Sequence, residues 1–337
     1  MHQALRHLLA ASLAILVASA LAACSAVENE RVLPEPAAPL AALDGSAYQT
    51  ASHVALPQTA PQELSGLHNV FHLSDRIVSG SEPHGEAAFE ELAAMGVKTI
   101  LSVDGKVPDA ELARKHGMTY VHVPTQYKGM SDDEVLKIAK TFREKSGPFY
   151  VHCFHGKHRG PAAAAIGRLV LDGISREQAL AEMRQWCGTA ASYEGLYREI
   201  AQEQLPTEAE TRAFRFDFPA AHPFDGFRGG MVEVSRADDN LKVLSKSKWL
   251  PNADHPDLDA RHEASKLASA LERCEALEEV RTEPDDFREW LRESVVQSAA
   301  LRDALAGGQP GSATGAADAA YQALSASCTA CHAKYRN

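Results

Sequence analysis

The sequence predicts an α/β domain, a mostly parallel sheet flanked by helices, followed by an all-α four-helix bundle. Three observations predict this. Between residues 62 and 205 short β-rich runs alternate with helix-period apolar patterns, the order of a chain that winds strands and helices in turn. From residue 228 to 337 only helix-period patterns remain, four of them with short connections. Residues 24–61 are rich in Ala, Pro and Glu, and residues 206–227 in Phe and Pro; neither sustains an apolar period, so both read as linkers.

Strands are expected at residues 70–73, 76–79, 97–103, 118–123 and 149–152, where β-branched and aromatic residues cluster. Helices are expected at 85–95, 109–116 and 132–145, the last with Ser131 as its N-cap, and then at 161–171, 175–185 and 192–203. In the second part they fall at 231–246, 257–280, 284–306 and 316–336. The third shows Phe287, Leu291, Val295, Leu301 and Leu305 at helical spacing, and Gly307 to Gly311 breaks it before the fourth.

Composition narrows the classes. Hydrophobic residues make up 45% and charged residues 23%, the balance of a globular chain, which excludes a disordered, collagen-like or polytopic membrane protein. The formal charge of −11 argues against nucleic acid as a partner. Residues 1–23 have the layout of a secretory signal, a basic start with Arg6, an apolar run from Leu8 to Leu21 and then small residues. Leu21-Ala22-Ala23-Cys24 resembles the lipobox of bacterial lipoproteins. That resemblance implies cleavage before Cys24, lipidation of Cys24, and a periplasmic protein tethered, without spanning, to the membrane. Each buried methylene of such an anchor contributes about 0.8 kcal/mol. Ser25 after the cysteine implies the outer membrane.

The remaining cysteines are read singly. Residues 149–161, Phe-Tyr-Val-His-Cys-Phe-His-Gly-Lys-His-Arg-Gly-Pro, run from an apolar strand into Cys153, through a loop, to Arg159 and a helix opened by Pro161. Backbone N–H groups of a loop entering a helix bind a tetrahedral oxyanion, and the same field favours a thiolate. Gly156 permits the loop's backbone angles, Arg159 offers a two-pronged donor to phosphate, and Cys153 is placed to attack phosphorus. The phosphate-binding residues are thus Phe154, His155, Gly156, Lys157, His158 and Arg159.

His152-Cys153, five residues and Arg159 resemble the signature of cysteine-dependent tyrosine and dual-specificity phosphatases, and the likeness extends over about 140 residues from Val70. It implies hydrolysis of phosphate monoesters through a cysteinyl-phosphate. The family places Ser or Thr directly after the arginine, where this chain has Gly160, so slow turnover is expected. The family also uses an aspartic general acid on the loop after the preceding strand. Asp132 is assigned that role, with Asp133 behind it and Asp104 as the alternative; stabilisation of a helix N-terminus is the competing reading of Asp132 and Asp133. The basic loop resembles those of phosphatases acting on inositol or lipid phosphates, and a phosphoprotein substrate stays equally open.

Cys328-Thr329-Ala330-Cys331-His332 is the C-x-x-C-H haem-attachment pattern. Tyr321, Leu324, Cys328, His332 and Tyr335 recur at three- and four-residue steps, so the motif is expected to face into the bundle. At the end of four helices it resembles cytochrome c′. The resemblance implies one covalent haem c held by Cys328 and Cys331, His332 on the iron, Met231 as a distal ligand with His255 and His262 as weaker candidates, Arg336 near the proximal histidine, a redox partner or small gas, and a homodimer. Cys187 and Cys274 read as buried thiols. Two functions follow: an exported phosphatase coupled to a haem module, or a haem protein whose phosphatase-like domain only binds an anion.

Overall fold

The computed structural model describes residues 33–251, 258–307 and 314–335, and those from Pro34 onward form one compact unit. Six strands, β1 (Gln62–Leu64), β2 (Leu67–His72), β3 (Ile77–Gly80), β4 (Thr99–Ser102), β5 (Thr119–His122) and β6 (Phe149–His152), make one sheet in the order β1-β2-β3-β6-β4-β5. The sheet is mixed, parallel in three of its five pairings: β3/β6, β6/β4 and β4/β5 are parallel, whereas β1/β2 and β2/β3, at the edge, are antiparallel. Strands β3, β4 and β6 are buried along their whole length, as strands covered on both faces must be. β1 was not foreseen, being three residues long with two exposed.

Helices α1 (Ala47–Thr50), α2 (Gly85–Ala94), α3 (Ala110–Lys115), α4 (Asp132–Glu144), α5 (Arg159–Gly167), α6 (Arg176–Ala181), α7 (Glu194–Gln202) and α8 (Glu208–Ala213) accompany the sheet. Ser131 and Glu134 form a capping box on α4, satisfying two of the amides that a helix start leaves unpaired. α5 is Ala-rich and buried throughout; small side chains let it pack closely against the sheet.

Both expected linkers are in large part folded. Residues 34–61 pack on this domain: Leu40 N–H donates to Ala201 O, Arg176 to Ala37 O and Trp186 to Pro57 O, while Glu194 accepts from the amides of Ala47 and Tyr48 at the start of α1. In 206–227, α8 is held by Lys140 and Arg143 of α4, and Pro219 and His222 bond the two sides of His122. Pro and Ala lower local periodicity without preventing burial, so composition misread these segments.

The C-terminal region is helical. Among the described residues its long helices are α9 (Gly226–Lys246), α10 (Ala260–Glu275), α11 (Asp285–Ala306) and α12 (Thr314–Tyr335). They share an apolar core that includes Leu241, Leu244, Trp249, Leu267, Leu271, Phe287, Leu291, Leu301 and Leu324. α9 starts five residues earlier than expected, so Met231 lies in its second turn. Among the described residues no helix is long and apolar enough to cross a membrane. Cys24, the segment 1–23, His255 and Arg336 lie outside the described residues.

Candidate active site

The parallel strands end in register, with Gly80 beside His152, His152 beside Ser102 and Ser102 beside His122. Chemistry is expected at this edge, where loops leave the carboxyl ends of the strands. Cys153 follows β6 directly and is buried, and its loop turns into α5 at Arg159. The carbonyls of Phe154, His155 and Lys157 are held by Glu82 N–H, Asn69 Nδ2 and Thr189 Oγ1. A peptide plane carries its C=O and next N–H on opposite sides, so carbonyls tied to the surrounding elements turn the amides of His155, Gly156 and His158 inward. Gly156 has φ +73°, and a Cβ there would sit 2.3 Å from the Gly80 carbonyl carbon and 2.6 Å from Ser81 N, so only glycine closes this loop.

Arg159 is 2% exposed. Its Nη2 donates to Asp104 Oδ2 at 2.6 Å and to the Tyr127 hydroxyl at 2.9 Å, and its guanidinium lies 4.1 Å from the Tyr127 ring centroid. Its Nε is buried without a hydrogen-bond partner. A buried, unpartnered guanidinium N–H is costly unless a ligand supplies the acceptor. The other Asp104 oxygen, Oδ1, accepts from Lys106 N–H at 2.8 Å and from His262 Nε2 at 2.9 Å. Burial by itself would raise the Asp104 carboxyl, but His262 and Arg159 beside it hold it well below the usual carboxylate range. The site thus joins a thiol, inward amides and an arginine steered by an ionised aspartate, an arrangement that can cradle a tetrahedral oxyanion beside the Cys153 thiol.

Residues 73–213 match the family described as PTP-SAK, a Swiss Army Knife protein with a DSP-PTPase phosphatase domain. The chain carries a dual-specificity phosphatase-like domain. The dual specificity protein phosphatase TpbA of Pseudomonas aeruginosa strain UCBPP-PA14 is 29% identical over 119 residues, 35% of this chain and 54% of the relative. The chain therefore spans about half the length of the curated relatives it matches. Among solved structures, P. aeruginosa TpbA aligns at 23% identity and TM-score 0.36, covering 47% of this chain and 92% of that one. The catalytic core of the PP-IP phosphatase SIW14 from S. cerevisiae, solved with citrate, aligns at 19% and 0.36, covering 46% and 93%.

Within the phosphatase-like domain Cys153, Gly156 and Arg159 lie on one loop that runs from β6 to the start of α5. The His158 ring packs between Tyr193 and Tyr127, 4.4 Å from Tyr193, and its Nδ1 accepts from Ala190 N–H, so the side chain braces the loop while the backbone N–H faces inward. Lys157 is exposed. A Cβ on Gly160 would lie 3.0 Å from Cys153 N, so the helix start passes tightly against the backbone that leads into Cys153. His152 is buried, 2.5 Å from the Tyr120 hydroxyl, and burial lowers its pKa to about 4, keeping it neutral. Asp132 is exposed at the start of α4, and Asp133 pairs with Lys137 at 2.5 Å; among the described residues neither bonds to the Cys153 loop. The carboxylate at the site is Asp104.

His262 is the residue that sequence reasoning misplaced. A weaker candidate for a haem ligand by sequence, it instead leaves the helical core and stacks on Phe154 at 3.7 Å between centroids and 15° between planes. The signal in the sequence is its place on a polar helix face. Tyr127 and the Glu82–Lys106 ion pair (2.8 Å) beside the loop also passed unremarked.

On α12, Cys328 and Cys331 are free thiols, part-buried against the helical core, and burial raises both. His332 is exposed, which corrects the expectation that it faces inward with them. Tyr321 donates to Asp238 on α9 at 2.8 Å. Met231 lies seven residues toward the start of α9 from that bond and Cys328 seven toward the end of α12, and both pack on the shared core. Two thiols three residues apart with an adjacent imidazole are a donor set that fits a covalently attached haem. Cys187 and Cys274 are buried free thiols, and burial pushes Cys274 up to about 12.

Proposed function

We propose that the protein is an exported, lipid-anchored phosphatase that hydrolyses phosphate monoesters through Cys153, fused to a haem-bearing electron-transfer or gas-sensing module. The observation that carries the phosphatase reading is the buried, unpartnered Nε of Arg159 beside the inward-turned amides of the Cys153 loop. In the first step the Cys153 thiolate attacks phosphorus, the S–P bond forming as the ester P–O bond breaks. Arg159 Nε and the loop amides take the charge on the non-bridging oxygens. The departing oxygen takes a proton from Asp132, because Asp104, ion-paired and ionised, has none to give. Water then cleaves the S–P bond and releases phosphate. The substrate is a phosphorylated protein or an inositol or lipid phosphate; TpbA has been crystallised with pTyr and PTPMT1 with PI(5)P.

Helices α9 to α12 read as an antiparallel four-helix bundle of cytochrome c′ type, a reading supported by contacts between opposite ends: Trp249, just past the end of α9, with Asp318 of α12, and Phe287 of α11 with Tyr335 of α12. Cys328 and Cys331 would hold haem c, with His332 and Met231 as the residues that would ligate its iron; bound there, it would supply a redox-active iron to an electron partner or a small gas. A homodimer through the helices belongs to this reading. Cys24 would carry the lipid, placing the protein on the periplasmic side of the outer membrane.

A second reading, a haem protein whose phosphatase-like domain only binds an anion, is favoured by Gly160, which offers no hydroxyl beside Cys153, and by the ion-paired Asp104. Release of a small aryl alcohol from its phosphate by the intact protein, beside Cys153→Ser and Asp132→Asn, separates them. Turnover abolished by the serine variant supports the enzyme; none on any phosphorylated compound supports the binding module. Loss of covalent haem in Cys328→Ala and Cys331→Ala, read by mass spectrometry, tests the second half.

A further inference from the structure

We propose that His262, on the helical region, is a positioning residue of the Cys153 site: it holds Asp104, and through it the Arg159 fork, ready for a phosphate oxyanion. The inference rests on reading that site as one that binds phosphate.

Two contacts carry it, both made by one buried ring. The first is the hydrogen bond of His262 Nε2 to Asp104 Oδ1, 2.9 Å, between residues 5% and 2% exposed. An ionised carboxylate only accepts, so Nε2 bears the proton in this bond. The second is the stack on Phe154, the residue directly after Cys153, whose carbonyl is also held by Glu82 N–H. Asp259 fixes the backbone beneath the ring by capping the His262 amide at 2.9 Å.

The consequence follows from the shape of a carboxylate. Asp104 Oδ2 receives Arg159, so any swing of the carboxylate moves the guanidinium. With Lys106 N–H and His262 both on Oδ1, the plane is held at either end and Arg159 keeps one orientation, with Nε left for an incoming oxygen. Without His262, Oδ1 keeps one backbone donor and the fork loosens. The helical region is therefore part of the phosphate site, and any change in how α10 is set reaches Arg159.

Binding of inorganic phosphate to the intact protein, measured by calorimetry, tests this without turnover. His262→Phe keeps a ring for Phe154 and loses the donor; His262→Gln keeps an N–H at the reach of Nε2 and loses the ring. Phosphate should bind about tenfold or more weakly to the phenylalanine variant, and within about threefold of wild type to glutamine, since a hydrogen bond to a charged group is what separates them. In an Asp104→Asn background, His262→Phe should add no further loss. His262→Leu reads the same quantity should the phenylalanine variant not fold. Wild-type affinity in the donor-less variants, an undiminished loss in the Asp104→Asn background, or no phosphate binding by wild type would overturn the proposal. Failure of the enzyme reading is separate: it appears as absent Cys153-dependent hydrolysis while the affinities still differ.

Discussion

Replacing Asp104 by asparagine keeps the side chain's shape and removes its charge, so it isolates what the buried ion pair contributes. Asp104 accepts from Arg159 at 2.6 Å, from His262 at 2.9 Å and from Lys106 N–H at 2.8 Å, so both of its oxygens face only donors. A carboxamide has one acceptor oxygen and one donor NH2. Turned toward Arg159, it sets its NH2 against two donors; turned the other way, it sets it against Nη2. Either way a buried donor loses its acceptor, at about 1–3 kcal/mol, and Arg159, 2% exposed, loses its counter-charge. Breaking a buried pair from one side costs about 3–5 kcal/mol in all. Urea unfolding at pH 7, followed by far-ultraviolet circular dichroism, should show a loss of that size. Because the folded-state pKa of Asp104 lies below its unfolded value, the aspartate's contribution is present above the unfolded pKa and lost as pH falls through the folded one. The gap between wild type and Asp104→Asn should thus hold steady from pH 8 to 5 and narrow only below about pH 4. A loss under about 1 kcal/mol at pH 7 would refute the view that this pair is buried and mutually compensated.

Gly156→Ala puts a Cβ 2.3 Å from the Gly80 backbone at φ +73°; it should abolish phosphate binding by calorimetry while leaving the helical region's content unchanged in circular dichroism. Glu199 on α7 is raised to about 7 by burial first and then by Glu203, Asp132 and Glu134, so its contribution is complete below about pH 4.5 and is lost as pH rises through 7. Glu199→Gln should therefore raise the melting temperature at pH 8 and change it little at pH 5; the opposite order would contradict the burial assigned to it. Gly160→Ser restores a hydroxyl beside Cys153, and a stopped-flow burst of leaving-group release in wild type should shrink in the variant; a variant burst as large as wild type would count against hydrolysis of the cysteinyl-phosphate as the slow step.

Much of the site was legible before any coordinates, and the reasons are local. Cys153, Gly156 and Arg159 lie within seven residues, and a strand followed by a loop and a helix fixes their arrangement with little help from the rest of the chain. Ser131 marks the start of α4 for the same reason. Asp132 is expected from its place after the strand that precedes the Cys153 strand, with Asp104 as the alternative, and Asp104, 55 residues before Arg159, is the carboxylate that reaches the guanidinium. Adjacent parallel strands bring β4 and β6 together, and chain distance says nothing of it.

By itself the sequence determined the elements that depend on short-range periodicity and spacing: five of the six strands, the helices on either side, the Cys153 loop and the paired thiols of α12. Only the tertiary structure decided the mixed order of the sheet, the folding of residues 34–61 onto α7, and the reach of His262 into the Cys153 site from 109 residues away. Helical periodicity reports which face of α10 is apolar, and it cannot report what its polar face meets. Two buried polar groups from distant segments are stabilised only once each supplies the other's missing partner, and that condition is met in space, not along the chain.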